Sequence, residues 1–362
     1  MCYCKSIELY DEINEKKQYL LLNKNTNEAQ TISAKRDKSN AFLLKDTKNF
    51  HLLDKFEAMS ENSLISLPYQ LKKVEYKDIV AKPYDFYRDF VSKGEPCLIK
   101  NIISDWPAFK NWQDNSYLIE KAGDTEFTID ITPDGYADSI KSSYFVQPLQ
   151  QKMSLKKFFE EKSKENQVCY IQKQNNNLND EFSVLKTDIL PNVLEFFSEF
   201  FKKDPDASNL WIGTKESVTS LHKDNYENIF VVVKGEKHFT LIPPIYYPFM
   251  HPSYYKDSRW DWDNDKKSFV IKENKEENKI PWISINPDLD NDGGDLGVKI
   301  KKYHAIIESG DGLYLPPLWY HQVSQFSYTD DVIIGVNYWF DMEYNSNFVL
   351  YDLIKNLVDL KP

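Results

Sequence analysis

The sequence predicts a mainly β protein with flanking helices, its strands arranged as an antiparallel sandwich or barrel. Three observations predict it. From Trp211 onward, short apolar segments follow one another with Gly, Pro and Asn between them. Aromatic residues make up 15% of the 362 residues, a composition suited to β packing. Helical spacing of apolar residues is confined to segments before and after that series.

The first 62 residues are rich in Lys, Asn, Asp and Glu and read as a polar, partly disordered extension, with 24–40 as loop or disorder. Residues 63–342 then form one domain. Its first helix is expected over 75–94 around Phe86, Phe90 and Val91, with Gly94 as the stop. A buried strand follows at 95–103. A second helix is expected over 155–165 and a strand over 167–174. The strand series comprises NLWIG, ENIFVVVKG, EKHFTLIPP, KIPWISI, HAIIESG, GLYLPP and DVIIGVNYWF. The charged stretch 256–279 interrupts it as a surface insertion. The tail 343–362 carries Phe348, Leu353, Ile354, Leu357 and Val358 at helical spacing, a stripe fit either to pack on its own barrel or to meet a second copy.

Composition narrows the function. A hydrophobic fraction of 41% allows a substantial core. The net charge of −11 disfavours non-specific nucleic-acid binding and suits a basic peptide or protein partner. Cys2, Cys4, Cys97 and Cys169 are too few and scattered for a disulfide framework. No apolar run is long enough to span a membrane, and no apolar leader is visible. The expected compartment is the cytoplasm, with the nucleus open.

Of six histidines, only His222 sits two residues before an acid, in LHKD. With this many acids about one such match arises by chance. In an extended segment, however, residues i and i+2 share a face, so His222 and Asp224 can hold one ion. His321, after the GDGLYLPPLWYH turn, is the candidate third ligand. Two His and one carboxylate leave coordination positions open, as in non-haem iron oxygenases, and a hydrolytic zinc site uses a similar set. Lys237 lies 15 residues after His222, on the next strand after a KGE turn. If buried, it could pair with a carboxylate of 2-oxoglutarate; an exposed edge-strand Lys is the competing reading. Alternation points His238 away from it.

In this order, HxD, then Lys, then GDxLYxPxxWxH, then VNYWF (336–340), the chain resembles the Jumonji-C (JmjC) oxygenases, and among them the small lysyl hydroxylase type. The segments TPDGYAD, YIQKQ, VTSLHKDNYEN, GEKHF, LYLPPLWYH and VNYWFDMEY carry the likeness, over about residues 66–362. The resemblance implies a double-stranded β-helix of the cupin, or jelly-roll, type. It implies iron(II) at His222, Asp224 and His321, with 2-oxoglutarate and dioxygen as cosubstrates. Lys237, Thr219, Tyr170, Asn228 and Asn337 match its cosubstrate-pocket positions. Trp319 and Trp339 are expected in the core. The substrate implied is a lysyl residue in a GTPase of the developmentally regulated GTP-binding family. A possible homodimer through the C-terminal helix is also implied. A JmjC histone lysine demethylase and, in another class, a non-catalytic cupin-like scaffold are the alternatives. Asp134, in PDG, is expected to cap a turn, and Asp138 could face an incoming cation.

Overall fold

The computed structural model describes residues 70–359 except 163, 165, 251, 275–277, 289–299 and 330, together with three strands nearer the N-terminus. The chain divides into two units, Met1–Ser63 and Leu64–Pro362. In the first, β1 (Lys5–Asp11), β2 (Lys16–Leu22) and β3 (Ala29–Ser33) form an antiparallel meander. The reading of 24–40 as loop or disorder is therefore corrected at Ala29–Ser33. That segment gains its strand from backbone pairing to β2 rather than from its own weak periodicity. The rest of 24–40, and Cys2 and Cys4, lie outside the described residues.

The second unit opens with β4 (Lys72–Glu75), α1 (Tyr76–Ala81), α2 (Pro83–Asp89), β5 (Cys97–Lys100), α3 (Pro107–Asn111) and α4 (Asn115–Ala122). The helix expected over 75–94 is thus two, because Pro83 interrupts the backbone ladder and begins α2 at its first turn. Gly94 ends the segment at φ +62, in the left-handed region. Next come β6 (Glu126–Thr132), β7 (Tyr136–Ala137), β8 (Ser139–Lys141), β9 (Tyr144–Gln147), β10 (Leu149–Ser154), α5 (Leu155–Glu161), β11 (Val168–Tyr170) and α6 (Asn192–Phe201).

The expected strand series follows as β12 (Ala207–Gly213), β13 (Val218–Lys223), β14 (Tyr226–Lys234) and β15 (Glu236–Ile242). It continues through β16 (Pro252–Asp263), β17 (Ser268–Glu273), β18 (Lys279–Ile283), β19 (Tyr303–Glu308), β20 (Gly312–Leu315), β21 (Tyr320–Phe326) and β22 (Ile333–Asp341), and ends in α7 (Ser346–Asp359). None of the described helices is long and apolar enough to cross a membrane. Cys97 and Cys169 are buried free thiols.

Two sheets form the jelly roll. One has six strands, in the order β12-β22-β14-β20-β5-β4; the other has five, β19-β15-β21-β13-β7. Apart from its edge strand β4, the six-stranded sheet is buried on both faces, which explains why its strands read as continuous apolar runs. Along β14, Ile229, Val231 and Val233 face the helical layer with Phe86, Trp112 and Phe197, whereas Phe230 and Val232 face the interior of the roll. The five-stranded sheet alternates instead: Tyr303, Ala305 and Ile307 of β19 are buried, while His304, Ile306 and Glu308 are exposed. Inner side chains of both sheets, among them Trp211, Phe230, Phe239, Leu241 and Trp339, meet in one cluster.

The stretch expected as a surface insertion is a strand layer of its own. β16 pairs with β17 and β18, and also runs parallel to β9, joining the small sheet that contains β8. Its many charges belong to strand positions that face solvent on one side.

Candidate active site

The site is organised by one rung of the five-stranded sheet. On antiparallel strands β13 and β21, His222 lies directly opposite His321. Two residues further along β21, Val323 faces Thr219, so three residues of β13 span two of β21. That bulge lets Thr219 and His222 line the same cavity although they are three apart, a spacing that points opposite ways in a regular strand. Asp224 follows in the turn into β14, where its carbonyl accepts a hydrogen bond from Leu318 N at 2.9 Å.

The side chains converge. Asp224 Oδ2 lies 3.7 Å from His222 Nε2 and 3.6 Å from His321 Nε2, and one ligand atom from each residue falls within 4.8 Å of the others. His222 Nδ1 is 2.7 Å from the Ser220 carbonyl, and His321 Nδ1 is 3.0 Å from that of Trp319. A carbonyl only accepts, so both rings carry their proton on Nδ1 and aim the Nε2 lone pair at the centre. Burial, and then neighbouring His222, push His321 down to about 4, so it is neutral at physiological pH. Asp224 Oδ2 is buried with no hydrogen-bond partner. An orphaned carboxylate oxygen between two imidazole lone pairs fits a divalent cation.

Beside this set is a buried cation. Lys237, on β15, is 1% exposed and donates to Tyr170 Oη at 3.1 Å and to Gln325 Oε1. Neither partner carries charge, and burial alone pushes the ammonium down to about 7. Thr219 bonds the same Tyr170 phenol. Asn337 accepts from Trp211 Nε1 at 2.8 Å and donates to Asn228 Oδ1 at 3.1 Å. Tyr170, Thr219, Asn228 and Asn337 line one cavity with His222, Asp224 and His321. A dicarboxylate fits this arrangement, with one end at the ligand set and the other at the uncompensated ammonium.

Residues 83–346 match the cupin-like domain family. JmjC domain-containing protein E of Dictyostelium discoideum is 38% identical over 77% of this chain and 88% of its own length. The human bifunctional peptidase and (3S)-lysyl hydroxylase JMJD7 is 35% identical, over 78% and 89%. The lysine-specific demethylase JMJ32 of Arabidopsis thaliana is 32% identical, over 79% and 87%. The chain belongs to the cupin-like JmjC family. It is a JmjC-type 2-oxoglutarate-dependent dioxygenase, of a family whose enzymes use iron(II) and 2-oxoglutarate.

Within this JmjC domain the structure adds residues that sequence reasoning missed. Gln325 holds Lys237 and is itself fixed by donating to the Thr214 carbonyl at 2.7 Å. Its signal was its i+4 spacing from His321, which puts both on the inner face of β21. Gly213 makes room for that pair, since a Cβ there would collide with Gln325 Nε2 and the Tyr170 ring. Trp211 and Trp339 line the cavity; Trp339, expected in the core, is buried but also forms part of this wall. Trp319 is buried and donates to the Gly94 carbonyl at 2.8 Å. His238 points away and lies 3.1 Å from Glu236. Asp134 accepts from Tyr136 N at 3.2 Å and pairs with Lys141, as a turn cap does.

Lys237 gives the JmjC domain a pH signature. Its folded-state pKa, about 7, lies below the ordinary value of 10.5. Between these values the unfolded chain holds a proton that the folded chain has released, so Lys237 makes stability rise with pH across that window. Urea unfolding of the metal-free protein from pH 7 to 10 should show this slope, and Lys237→Met should remove it while weakening 2-oxoglutarate binding by roughly 2–5 kcal/mol. Equal slopes in the two proteins would contradict a buried, uncompensated ammonium.

Proposed function

We propose that the chain binds iron(II) at His222, Asp224 and His321 and hydroxylates a lysyl residue of a protein substrate. The observation that carries this reading is a His–Asp–His ligand set beside a buried lysine that lacks a counter-charge. Iron(II) with 2-oxoglutarate and dioxygen supplies an oxidant able to take hydrogen from an unactivated C–H bond. The chain's residues do the rest. The two imidazoles and the Asp224 carboxylate hold the ion, with their tautomers set by the Ser220 and Trp319 carbonyls. Lys237, with Tyr170 and Thr219, anchors the far carboxylate of 2-oxoglutarate, and Asn228 and Asn337 line its pocket. Trp211, Phe230, Phe239 and Trp339 exclude water from it.

Lysine as the target is supported by the likeness to a human protein named as a (3S)-lysyl hydroxylase. A GTPase of the developmentally regulated GTP-binding family is the substrate we propose first. A relative named as a lysine-specific demethylase supports the alternative. A non-catalytic scaffold has no need of three intact ligands, and all three are present. The setting we propose is the cytoplasm, with access to the nucleus, since the cysteines suit a reducing compartment.

A second copy of this chain is the partner we propose for α7. Tyr351 and Ile354 of that helix are buried, with Tyr351 Oη 2.6 Å from Tyr320 Oη, whereas Leu350, Leu353 and Leu357 are exposed. The stripe expected there is thus divided between the helix's own domain and its outer side.

Mass spectrometry tests the reaction. A lysine peptide from the GTPase, incubated with iron(II), ascorbate and 2-oxoglutarate, should gain one oxygen, and a trimethyl-lysine histone peptide should lose no methyl group. Demethylation without oxygen gain would promote the alternative. Asp224→Ala should abolish turnover, and retained turnover would reject its ligand role. For the dimer, light scattering at micromolar concentration should give twice the monomer mass, and Leu353→Asp should halve it; a wild-type monomer removes this reading.

A further inference from the structure

Resting on the lysyl hydroxylase reading, we propose that the cleft between β6 and β16 holds the ε-ammonium of an unmodified lysyl side chain, with Asp130, Gln172 and Asp138 as its acceptors. The cleft encloses about 550 Å³ and lies outside the cosubstrate cavity. Its deep residues are nevertheless tied to that cavity by strand register. Asp130, on β6, stands directly opposite Tyr170 of β11. Asp138 follows β7, which runs parallel to β13 with Ala137 opposite Thr219, and Ser220 Oγ donates to the Ala137 carbonyl at 2.8 Å. Both acids are thus fixed to strands that carry residues of the cosubstrate cavity.

The acceptors are unsatisfied. Asp130 is 6% exposed and Gln172 3%. The Gln172 amide donates Nε2 to Asp130 Oδ2 at 2.9 Å, which fixes the orientation of both groups. Asp130 Oδ1 and Gln172 Oε1 are then left buried without a partner. Burial pushes the Asp130 carboxyl up from its ordinary value, against the favouring effect of Gln172, Gln150 and the charge of Lys173, and Oδ1 completes no hydrogen bond. Asp138 lies close enough to Asp130, and to His222, for their charges to act on one another. Two neighbouring acids and an amide, all of them lining one cleft, are costly to bury unless a cation joins them.

Chemistry selects the cation. A lysyl ammonium has three N–H donors and no acceptor, which matches these three acceptors. A guanidinium prefers both oxygens of one carboxylate edge, and Gln172 already occupies Asp130 Oδ2. A trimethylated lysine has no N–H donor and is held by aromatic faces, and no aromatic residue lines the cleft. Lys173 and Arg259 also line it: Lys173 acts on Asp130 by charge while its Nζ lies 3.5 Å from Thr128 Oγ1, and Arg259 donates to Asn274 Oδ1 at 3.4 Å. The β16 strand, which carries Arg259 and Asp261, thereby has a role as the cleft's outer wall.

The test is affinity selection with the protein loaded with manganese(II) and 2-oxoglutarate in the absence of oxygen. Peptide pools with identical degenerate flanks carry a central lysine, trimethyl-lysine, arginine or norleucine. Lysine peptides should be retained about tenfold over the other three, and Asp130→Asn should bring them down to the norleucine level. Because asparagine keeps the size of the side chain and an oxygen to accept from Gln172, the substitution should not lower the melting temperature; a purely structural carboxylate would lower it. Equal retention of lysine and norleucine by the wild-type protein, or an unchanged preference in Asp130→Asn, overturns the proposal. Wild-type protein that selects lysine but binds no 2-oxoglutarate would sink the oxygenase reading and leave the cleft standing.

Discussion

The arrangement depends on a single antiparallel rung, His222 opposite His321, and on the bulge beside it. A slip of one residue in the pairing of β13 with β21 would turn one imidazole out of the roll, because side chains alternate along a strand. The bulge then brings Thr219 into the phase of His222, so that one short strand lines the cavity with both. The two ring orientations are set by backbone carbonyls on the same pair of strands. The sheet therefore builds the ligand set and its tautomers together.

The six-stranded sheet supplies the rigidity this requires. Its helical side, with Trp106, Trp112, Phe127 and Phe197 buried, and its inner side, with Trp211, Phe230 and Trp339, are both closed. Inside this frame the hydrogen-bond partners of Lys237 among the described residues, Tyr170 and Gln325, are uncharged. In the proposed function the cost of burying the ammonium has a use: the free energy withheld from the apo state is recovered when a carboxylate binds.

Much of this was legible in the sequence. The strand series appears as short apolar runs between turn residues. The candidate ligands stand out because HxD, a Lys 15 residues on and a distal His follow the order of the JmjC oxygenases. What was hidden was hidden for physical reasons. The bulge between Thr219 and His222 is a matter of pairing, which a single strand does not encode. Gln325 looks like any polar strand residue until Lys237 is placed beside it. The stretch 256–279 reads as an insertion because it is dense in charge, and its partner β9 is over a hundred residues away in the chain. Asp130 was passed over because nothing local to it marks an unpaired carboxylate; that depends on Gln172, brought across by β11.

The central claim is that burial without a counter-charge lowers the Lys237 pKa, and that the far carboxylate of 2-oxoglutarate raises it again. Titration calorimetry of 2-oxoglutarate into the manganese(II) protein, in buffers of different ionisation enthalpy, measures this as proton uptake. With a free-state pKa of about 7 that the carboxylate raises again, binding at about pH 8 should take up close to one proton, and Lys237→Met should lose that uptake. Binding with no proton uptake in the wild-type protein, or equal uptake in both, would contradict the account.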